Sequence, residues 1–127
     1  MICIKLPFPV SSNNLYANSK GGRYKTKRYE TWLNAAGWDI NDQKPKRLEG
    51  PYQITLLLDN SRRFNKDGTR KKIDASNFIK APSDLLVAHG IIEDDSLEER
   101  VVLQWSDTVK GCLVILEPAE EQRRAAA

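Results

Sequence analysis

Strand-length apolar runs that alternate with helix-length segments are the feature that most narrows the fold of this chain. Four runs are rich in apolar residues over strand length and are bounded by turn residues, namely Ile2–Leu6, Pro51–Asp59, Val101–Ser106 and Cys112–Leu116. Two segments, from about Tyr29 to Asn41 and from Asp74 to His89, carry apolar residues at helical spacing. The order β-α-β-α-β-β predicts an α/β (α+β) domain with a single mixed sheet and helices packed on it. Lys110-Gly111 predicts a hairpin turn between the last two strands.

The length of the chain allows one domain and one core. It has 127 residues, of which 40% are hydrophobic, and this size suits one compact unit. We expect the domain to span residues 1–118 and a polar, alanine-rich tail to span 119–127. We see no internal repeat.

Both cysteines lie inside predicted strands. This position favours buried free thiols for Cys3 and Cys112 over a disulfide framework, and their spacing fits no zinc site. The chain opens directly as a strand, without a charged leader, and no apolar run approaches membrane-spanning length. We therefore expect a soluble, cytoplasmic protein with no membrane association.

The charges are unevenly distributed along the chain. The formal net charge is only +3, which by itself says little about partners. Basic residues concentrate in two runs, from Lys20 to Arg28 and from Arg62 to Lys72, whereas acids concentrate from Glu93 to Glu99. The pattern therefore indicates separate basic and acidic surfaces.

Asp74 and the stripe that follows it are the first candidate site residues. Asp74 stands at a loop-to-helix junction, where capping of the helix would explain it equally well. Asn77, Lys80 and Asp84 then fall on one helical face, opposite an apolar face, and a solvated surface would look the same. Pro82 removes a helical N–H and predicts a kink or a restart near Lys80 or Ala81.

Glu93-Asp94-Asp95 forms the second candidate. Three adjacent acids repel one another, and a divalent cation turns that repulsion into affinity, because Mg²⁺ prefers carboxylate, phosphate and water oxygens. A solvated acidic turn is the simpler explanation for the triplet alone. Since a basic run leads directly into Asp74, the combination indicates a nuclease, in which carboxylates hold the metal and cations attract the polyanion.

Three motifs stand out in the sequence, and they are L-P-F-P-V-S-S-N-N-L-Y from Leu6 to Tyr16, D-A-S-N-F-I-K from Asp74 to Lys80, and H-G-I-I-E-D-D-S from His89 to Ser96. Together they resemble the RusA family of Holliday junction resolvases, the crossover junction endodeoxyribonucleases. The second is similar to the family signature D-x-D-N-x-x-K, and the third to its G-x-x-x-D-D segment. Order and spacing agree over most of the chain.

The resemblance implies a Mg²⁺-dependent endodeoxyribonuclease, in which Mn²⁺ can substitute. Asp74 and Asp95 are the implied metal ligands, with Asp94 as a further ligand or support. Lys80 is the implied catalytic lysine, which would hold the scissile phosphate or stabilise its developing charge. A homodimer would make paired phosphodiester cuts in a four-way junction during recombination and repair.

Polar and basic residues near these motifs are expected to contact the DNA. They are Asn14, Lys20, Arg23, Lys25, Arg70, Lys71 and Lys72. Tyr24 and Phe64 are expected to stack on unpaired bases near the crossover, although aromatic side chains more often belong to a core.

The chain departs from the family pattern at Ser76, where the signature has its second aspartate. A serine brings no charge, so the site either binds metal more weakly or relies on Glu93 or Asp84 instead. The alternative hypothesis is a catalytically weak or inactive protein that binds branched DNA. A third is a phage or plasmid accessory protein whose basic face binds an acidic protein.

Overall fold

The computed structural model describes residues 1–119 of the protein. The helices and strands are β1 Ile2–Leu6, β2 Tyr16–Ser19, β3 Gly22–Lys25, α1 Lys27–Gln43, β4 Tyr52–Asp59, α2 Lys80–Ala88, β5 Glu98–Ser106 and β6 Cys112–Pro118. Short 3₁₀ turns precede or join them at Ser12–Asn14, Asn60–Arg63, Ala75–Phe78 and Asp95–Leu97. The predicted mixed α+β class is confirmed. The predicted tail lies, apart from Ala119, outside the described residues.

The main sheet has four strands in the order β1-β6-β4-β5. Strand β4 pairs in parallel with β5 and antiparallel with β6, which also pairs antiparallel with β1. The predicted β5–β6 hairpin is therefore wrong, because the connection at 107–111 carries the chain past β4. Gly111 lies in this connection, and a larger residue would not fit there. Its φ is +69°, and a Cβ atom would lie 2.5 Å from the carbonyl oxygen of Leu6.

A separate two-stranded hairpin, formed by β2 and β3, was not predicted. It pairs Tyr16 with Lys25 and Ser19 with Gly22, and β3 is exposed along its whole length. Because no face of this hairpin is buried continuously, its sequence lacks the apolar alternation by which strands are recognised. The protein thus has a main mixed sheet and a small second one, where a single sheet was expected.

The core lies on one face of the main sheet. Alternate residues of its strands are buried there, including Ile54, Leu56, Leu58, Val114 and Leu116. They join side chains of both helices in one cluster, including Trp32, Ala36 and Ile40 of α1 and Leu85 and Leu86 of α2. Both helices therefore cover the same face of the sheet.

The two cysteine side chains lie in different environments. Cys112 is buried, and burial raises the pKa of its thiol to about 12, so it is inert at neutral pH. Cys3 is exposed, contrary to the prediction. It alternates with Ile4, whose side chain occupies the core, so Cys3 faces the other way.

The helix boundaries follow local chemistry. Thr26 begins α1, because its Oγ1 accepts the N–H of Tyr29 at 3.2 Å. The second helix begins at Lys80, later than the predicted start at Asp74, and Pro82 lies in its first turn, where a missing N–H costs no hydrogen bond. Within residues 1–119 neither helix is long and apolar enough to cross a bilayer.

Candidate active site and nucleic-acid interface

Asp74 presents an uncommitted carboxylate at the surface. It precedes the 3₁₀ turn Ala75–Phe78 in an extended conformation, is exposed, and makes no side-chain capping hydrogen bond. Its backbone carbonyl, rather than its side chain, accepts the N–H of Asn77 at 3.1 Å. The capping explanation for this aspartate therefore fails.

Lys80 forms an ion pair on the first turns of α2. Its Nζ lies 3.3 Å from Asp84 Oδ1, and the two side chains are 52% and 30% exposed. The predicted apolar face of this segment is confirmed, since Phe78, Leu85 and Leu86 are buried. Because a solvent-exposed ion pair contributes little stability, a phosphate can compete with Asp84 for the ammonium group.

The three residues of the acidic triplet differ in their hydrogen bonds. Glu93 Oε1 accepts the N–H of Gly50 at 3.2 Å. Asp94 accepts the hydroxyl of Ser96 at 2.9 Å, and this bond lowers the pKa of Asp94. Asp94 and Asp95 are both exposed and adjacent in sequence, and we refer to them as the Asp94–Asp95 pair.

Glu98 and Tyr52 lie next to this pair and were not predicted as site residues. The Tyr52 hydroxyl donates to Glu98 Oε1 at 3.4 Å. Burial raises the pKa of Glu98, the charge of Asp95 adds to that shift, and the bond from Tyr52 opposes it. Burial and then the charge of Glu98 also raise the pKa of the Tyr52 phenol. Glu98 is the first residue of β5, and an acid at that position of a strand carries no sequence signal that it belongs to a functional site.

These carboxylates are the type of ligand that a hard divalent cation prefers, but those of residues 1–119 are not arranged as a complete metal site. Mg²⁺ is commonly held by one or two carboxylates together with water and phosphate oxygens. Asp74 and the Asp94–Asp95 pair offer exposed oxygens of this type. No group of three or more His, Cys, Asp or Glu side chains within residues 1–119 is placed to hold a metal. Neither Glu93 nor Asp84, the expected substitutes for the acid missing at Ser76, is free of other contacts.

The β2–β3 hairpin carries the first predicted basic group. Lys20, Arg23 and Lys25 are all exposed on it. The guanidinium of Arg23 lies 3.8 Å from the centre of the Tyr16 ring, a cation–π contact that holds the arginine against the hairpin. Tyr24 is 52% exposed, so it is not a core residue.

The second basic group lies on the loop that leads to Asp74. This loop is folded on itself, because Phe64 and Arg70 form a bridge and the N–H of Lys71 donates to the Arg63 carbonyl at 2.7 Å. Arg70, Lys71 and Lys72 are exposed, and Phe64 is 39% exposed. The loop therefore presents its cations to solvent beside a candidate metal ligand.

A cavity of about 580 Å³ lies between the start of α1, the turn after β1 and this loop. We call it the aromatic cavity, because Phe8, Trp32 and Phe78 line it. Its other lining residues include Asn14 and three cationic side chains, Arg28, Arg62 and Lys71. Arg28 and Arg62 were not among the predicted DNA contacts, although both lie in the two basic runs of the sequence.

The exposed cations of these surfaces make no salt bridge with a carboxylate of residues 1–119. Lys80–Asp84 is the ion pair recorded between side chains of the described residues. None of the predicted DNA-contacting lysines and arginines pairs with a carboxylate in residues 1–119. Unneutralised cations on exposed elements are what the binding of a phosphate backbone requires.

Comparison with known proteins identifies the family. The model of the family described as endodeoxyribonuclease RusA matches residues 7–115, a range that includes Asp74, Lys80 and the Asp94–Asp95 pair. The crossover junction endodeoxyribonuclease RusA of Aquifex aeolicus (strain VF5) is 31% identical over 120 residues, which cover 90% of this chain and 86% of the relative. The chain therefore belongs to the RusA family of endodeoxyribonucleases, which hydrolyse phosphodiester bonds in DNA.

Proposed function

We propose that this protein is a Mg²⁺-dependent endonuclease that resolves Holliday junctions or related branched DNA by paired cuts, as a homodimer. The observation that carries the proposal is the pair of exposed acidic positions, Asp74 and Asp94–Asp95, within the range matched by the family model. Each offers oxygens that no cap binds. Unneutralised cations lie beside the first of them.

Asp74, Asp94 and Asp95 are the residues that would hold the metal ion. When bound, the ion would supply activation of water as a nucleophile and would offset the negative charge that develops on the phosphoryl oxygens. Asp94 is suited to the role of ligand because its pKa is lowered, so it is ionised over the whole neutral range. No covalent intermediate with the protein is required.

Lys80 would orient the scissile phosphate and stabilise its developing negative charge. In the structure its ammonium is 3.3 Å from Asp84, which holds the side chain extended along the polar face of α2. An arriving phosphate would take over that ammonium. Asp84 is therefore a positioning residue for the free enzyme.

An open face of the main sheet supports the homodimer. Leu57, Val102, Leu113 and Ile115 are half-buried and lie on the face away from the helices, outside the core cluster. A second copy would cover this apolar face. Two-fold symmetry of the protein then matches the symmetry of a four-way junction, so two sites cut two opposed strands.

The test uses synthetic four-way junctions with each strand labelled in turn. Incubation with Mg²⁺ or Mn²⁺ is expected to give paired nicks near the crossover, whereas EDTA leaves the junction bound and intact. A linear duplex with the sequence of one arm is the control. Equal cutting of the duplex would contradict the branched substrate, and absence of cutting with both metals would contradict the nuclease.

The alternative, a weakly active or inactive protein that binds branched DNA, is favoured by Ser76 and by the lack of a three-ligand cluster in residues 1–119. It predicts junction binding without nicks, and it predicts that Ser76→Asp creates activity. For either function we propose a cytoplasmic location, which suits an exposed free thiol such as Cys3.

A further inference from the structure

We propose that the aromatic cavity receives the base of one unpaired nucleotide of branched DNA and thereby selects branch points over intact duplex. The inference rests on the proposed function, since it names the part of the substrate that this cavity would bind. It adds a recognition site that lies outside the acidic residues and the basic hairpin.

The lining of the cavity fits a flat aromatic group. Phe8 and Phe78 contact each other edge to face with centroids 5.0 Å apart. The indole N–H of Trp32 donates to the Pro7 carbonyl at 3.1 Å, so its one polar group is already satisfied. Trp32 and Phe78 are almost fully buried and close the floor of the cavity, whereas Phe8 is half-buried and presents the aromatic surface on which any of the four bases can stack.

The rim of the cavity fits the phosphates on either side of such a base. Arg28, Arg62 and Lys71 are exposed cations without a carboxylate ion-pair partner in residues 1–119. The Arg62 guanidinium lies over the Phe8 ring, 4.9 Å from its centre, which places positive charge directly on the aromatic surface. A ligand that is both aromatic and anionic matches the floor and the rim together, and a nucleotide within a DNA strand is one.

The cavity also has a polar group able to contact a base edge. The side-chain amide of Asn14 makes no hydrogen bond within residues 1–119, although it lies exposed at the cavity. An amide both donates and accepts, so it can pair with donor and acceptor positions of a base. This supports a nucleotide over a purely apolar ligand.

Chain continuity connects the cavity to the candidate active site. Ile73 lines the cavity and is the residue immediately before Asp74. Consecutive Cα atoms are about 3.8 Å apart, so a DNA strand with a phosphate at Asp74 has a neighbouring nucleotide within reach of the cavity. A paired and stacked base cannot enter without being extruded, which costs a few kcal/mol in duplex and less at a branch point.

The experiment compares two junctions in EDTA. One carries a single unpaired nucleotide beside the crossover, and the other carries an abasic residue at the same position. We expect the natural protein to bind the first at least about fivefold more tightly, the lower end of what stacking one base on an aromatic side chain contributes. Equal dissociation constants would overturn the proposal.

Two variants test the location of the effect. Ala35 is exposed on α1 and lines the cavity, so Ala35→Phe fills the space and is expected to abolish the fivefold preference. Asn34→Phe, an exposed position of the same helix outside the cavity lining, is the matched control and should retain it. Phe8→Leu, which removes a ring but keeps apolar bulk, should reduce the preference. A preference that survives in Ala35→Phe, or is lost equally in Asn34→Phe, contradicts the cavity as the site.

Cleavage by the natural protein separates the two proposals. If junctions are cut with Mg²⁺ but the abasic substitution has no effect, the cavity proposal fails alone. If junctions are neither cut nor preferred over duplex, the proposed function fails as well.

Discussion

At Ser11, Thr26 and Asp59 the side chain that precedes a helical turn accepts a backbone N–H from that turn, at 3.4, 3.2 and 3.0 Å. At Asp74 and Asp94 an equally suitable carboxylate occupies the same kind of position and makes no capping hydrogen bond. The side chains of the first three positions stabilise the turns that they begin, whereas the other two positions are carboxylates of the motifs that supply the proposed metal ligands. The comparison shows where the fold forgoes a stabilising contact.

The difference has an energetic meaning. A capping side chain typically contributes about 1 kcal/mol to stability. A carboxylate that does not cap keeps oxygen available for a ligand, both oxygens at Asp74 and Oδ1 at Asp94, whose Oδ2 accepts the Ser96 hydroxyl, so stability at that turn is exchanged for the ability to bind a ligand. We interpret the uncapped acids as functional and the capped positions as structural, and the following experiments can break or sharpen that division.

The largest effect is expected from the uncapped acids. Asp74→Asn and Asp95→Asn should each lower junction cleavage by about 100-fold or more, since even outer-shell changes at metal sites cost about 10- to 100-fold. The midpoint of chemical denaturation should be unchanged, and junction binding should be equal or tighter because negative charge near phosphate is removed. Asp42→Asn, at an exposed position of α1, is the control. Normal cleavage by both variants would refute the assignment.

Lys80→Ala is expected to have the next largest effect. Cleavage should fall about 100- to 1,000-fold, which is the usual effect of removing one group that stabilises transition-state charge. Asp84→Asn tests the ion pair from its other side. It should leave cleavage largely intact, because Lys80 keeps its charge. Single-turnover rates with prebound junction measure both effects, and a loss in Asp84→Asn as large as in Lys80→Ala would contradict the assigned roles.

Thr26→Ala should have the opposite profile from the acidic variants. It removes the cap of α1 and the hydrogen bond from Oγ1 to the Asn14 carbonyl at 2.6 Å. We expect a stability loss of about 1 kcal/mol and a fall in Tm on the order of 4 °C, with unchanged cleavage per folded molecule. Calorimetry measures the loss, and Thr26→Ser should restore it. A fully stable Thr26→Ala protein would contradict the structural role.

Glu98→Gln should give the smallest effect, and one that depends on pH. Burial raises the pKa of Glu98 in the folded state, so ionisation disfavours folding. The contribution of Glu98 to stability is full below its unfolded pKa of about 4.3 and is lost as pH rises through the folded value. Glu98→Gln should therefore raise Tm at pH 7 and not at pH 3.5, while Glu49→Gln changes neither. A larger gain at the lower pH would contradict this sign.

Much of the fold was predictable because one face of the sheet is buried. The alternation in β4 and β6 and the helical spacing in α1 directly reflect that burial. Strand neighbours were not predictable. The Lys110-Gly111 turn indicates a reversal of the chain, but only long-range pairing decides that β6 lies beside β1 and β4.

The candidate site was predictable in its residues and not in its arrangement. Motif spacing selects Asp74, Lys80 and the acidic pair, and helical spacing places Lys80 and Asp84 on one face, yet neither shows that Glu93 bonds to Gly50. The aromatic cavity collects side chains from segments far apart in sequence, such as Phe8, Trp32 and Lys71. No local sequence pattern predicts that these side chains meet at one cavity.

The pairing of β1 with β6 has a consequence for the order in which the protein matures. Ile2 lies opposite Leu116, so β1 can pair with its neighbour only after β6 has been synthesised. Until then β1 and the edge of β4 lack the strand that lies between them. We therefore expect a nascent chain interrupted before residue 112 to lack the continuous four-stranded sheet and, with it, the ability to cut DNA.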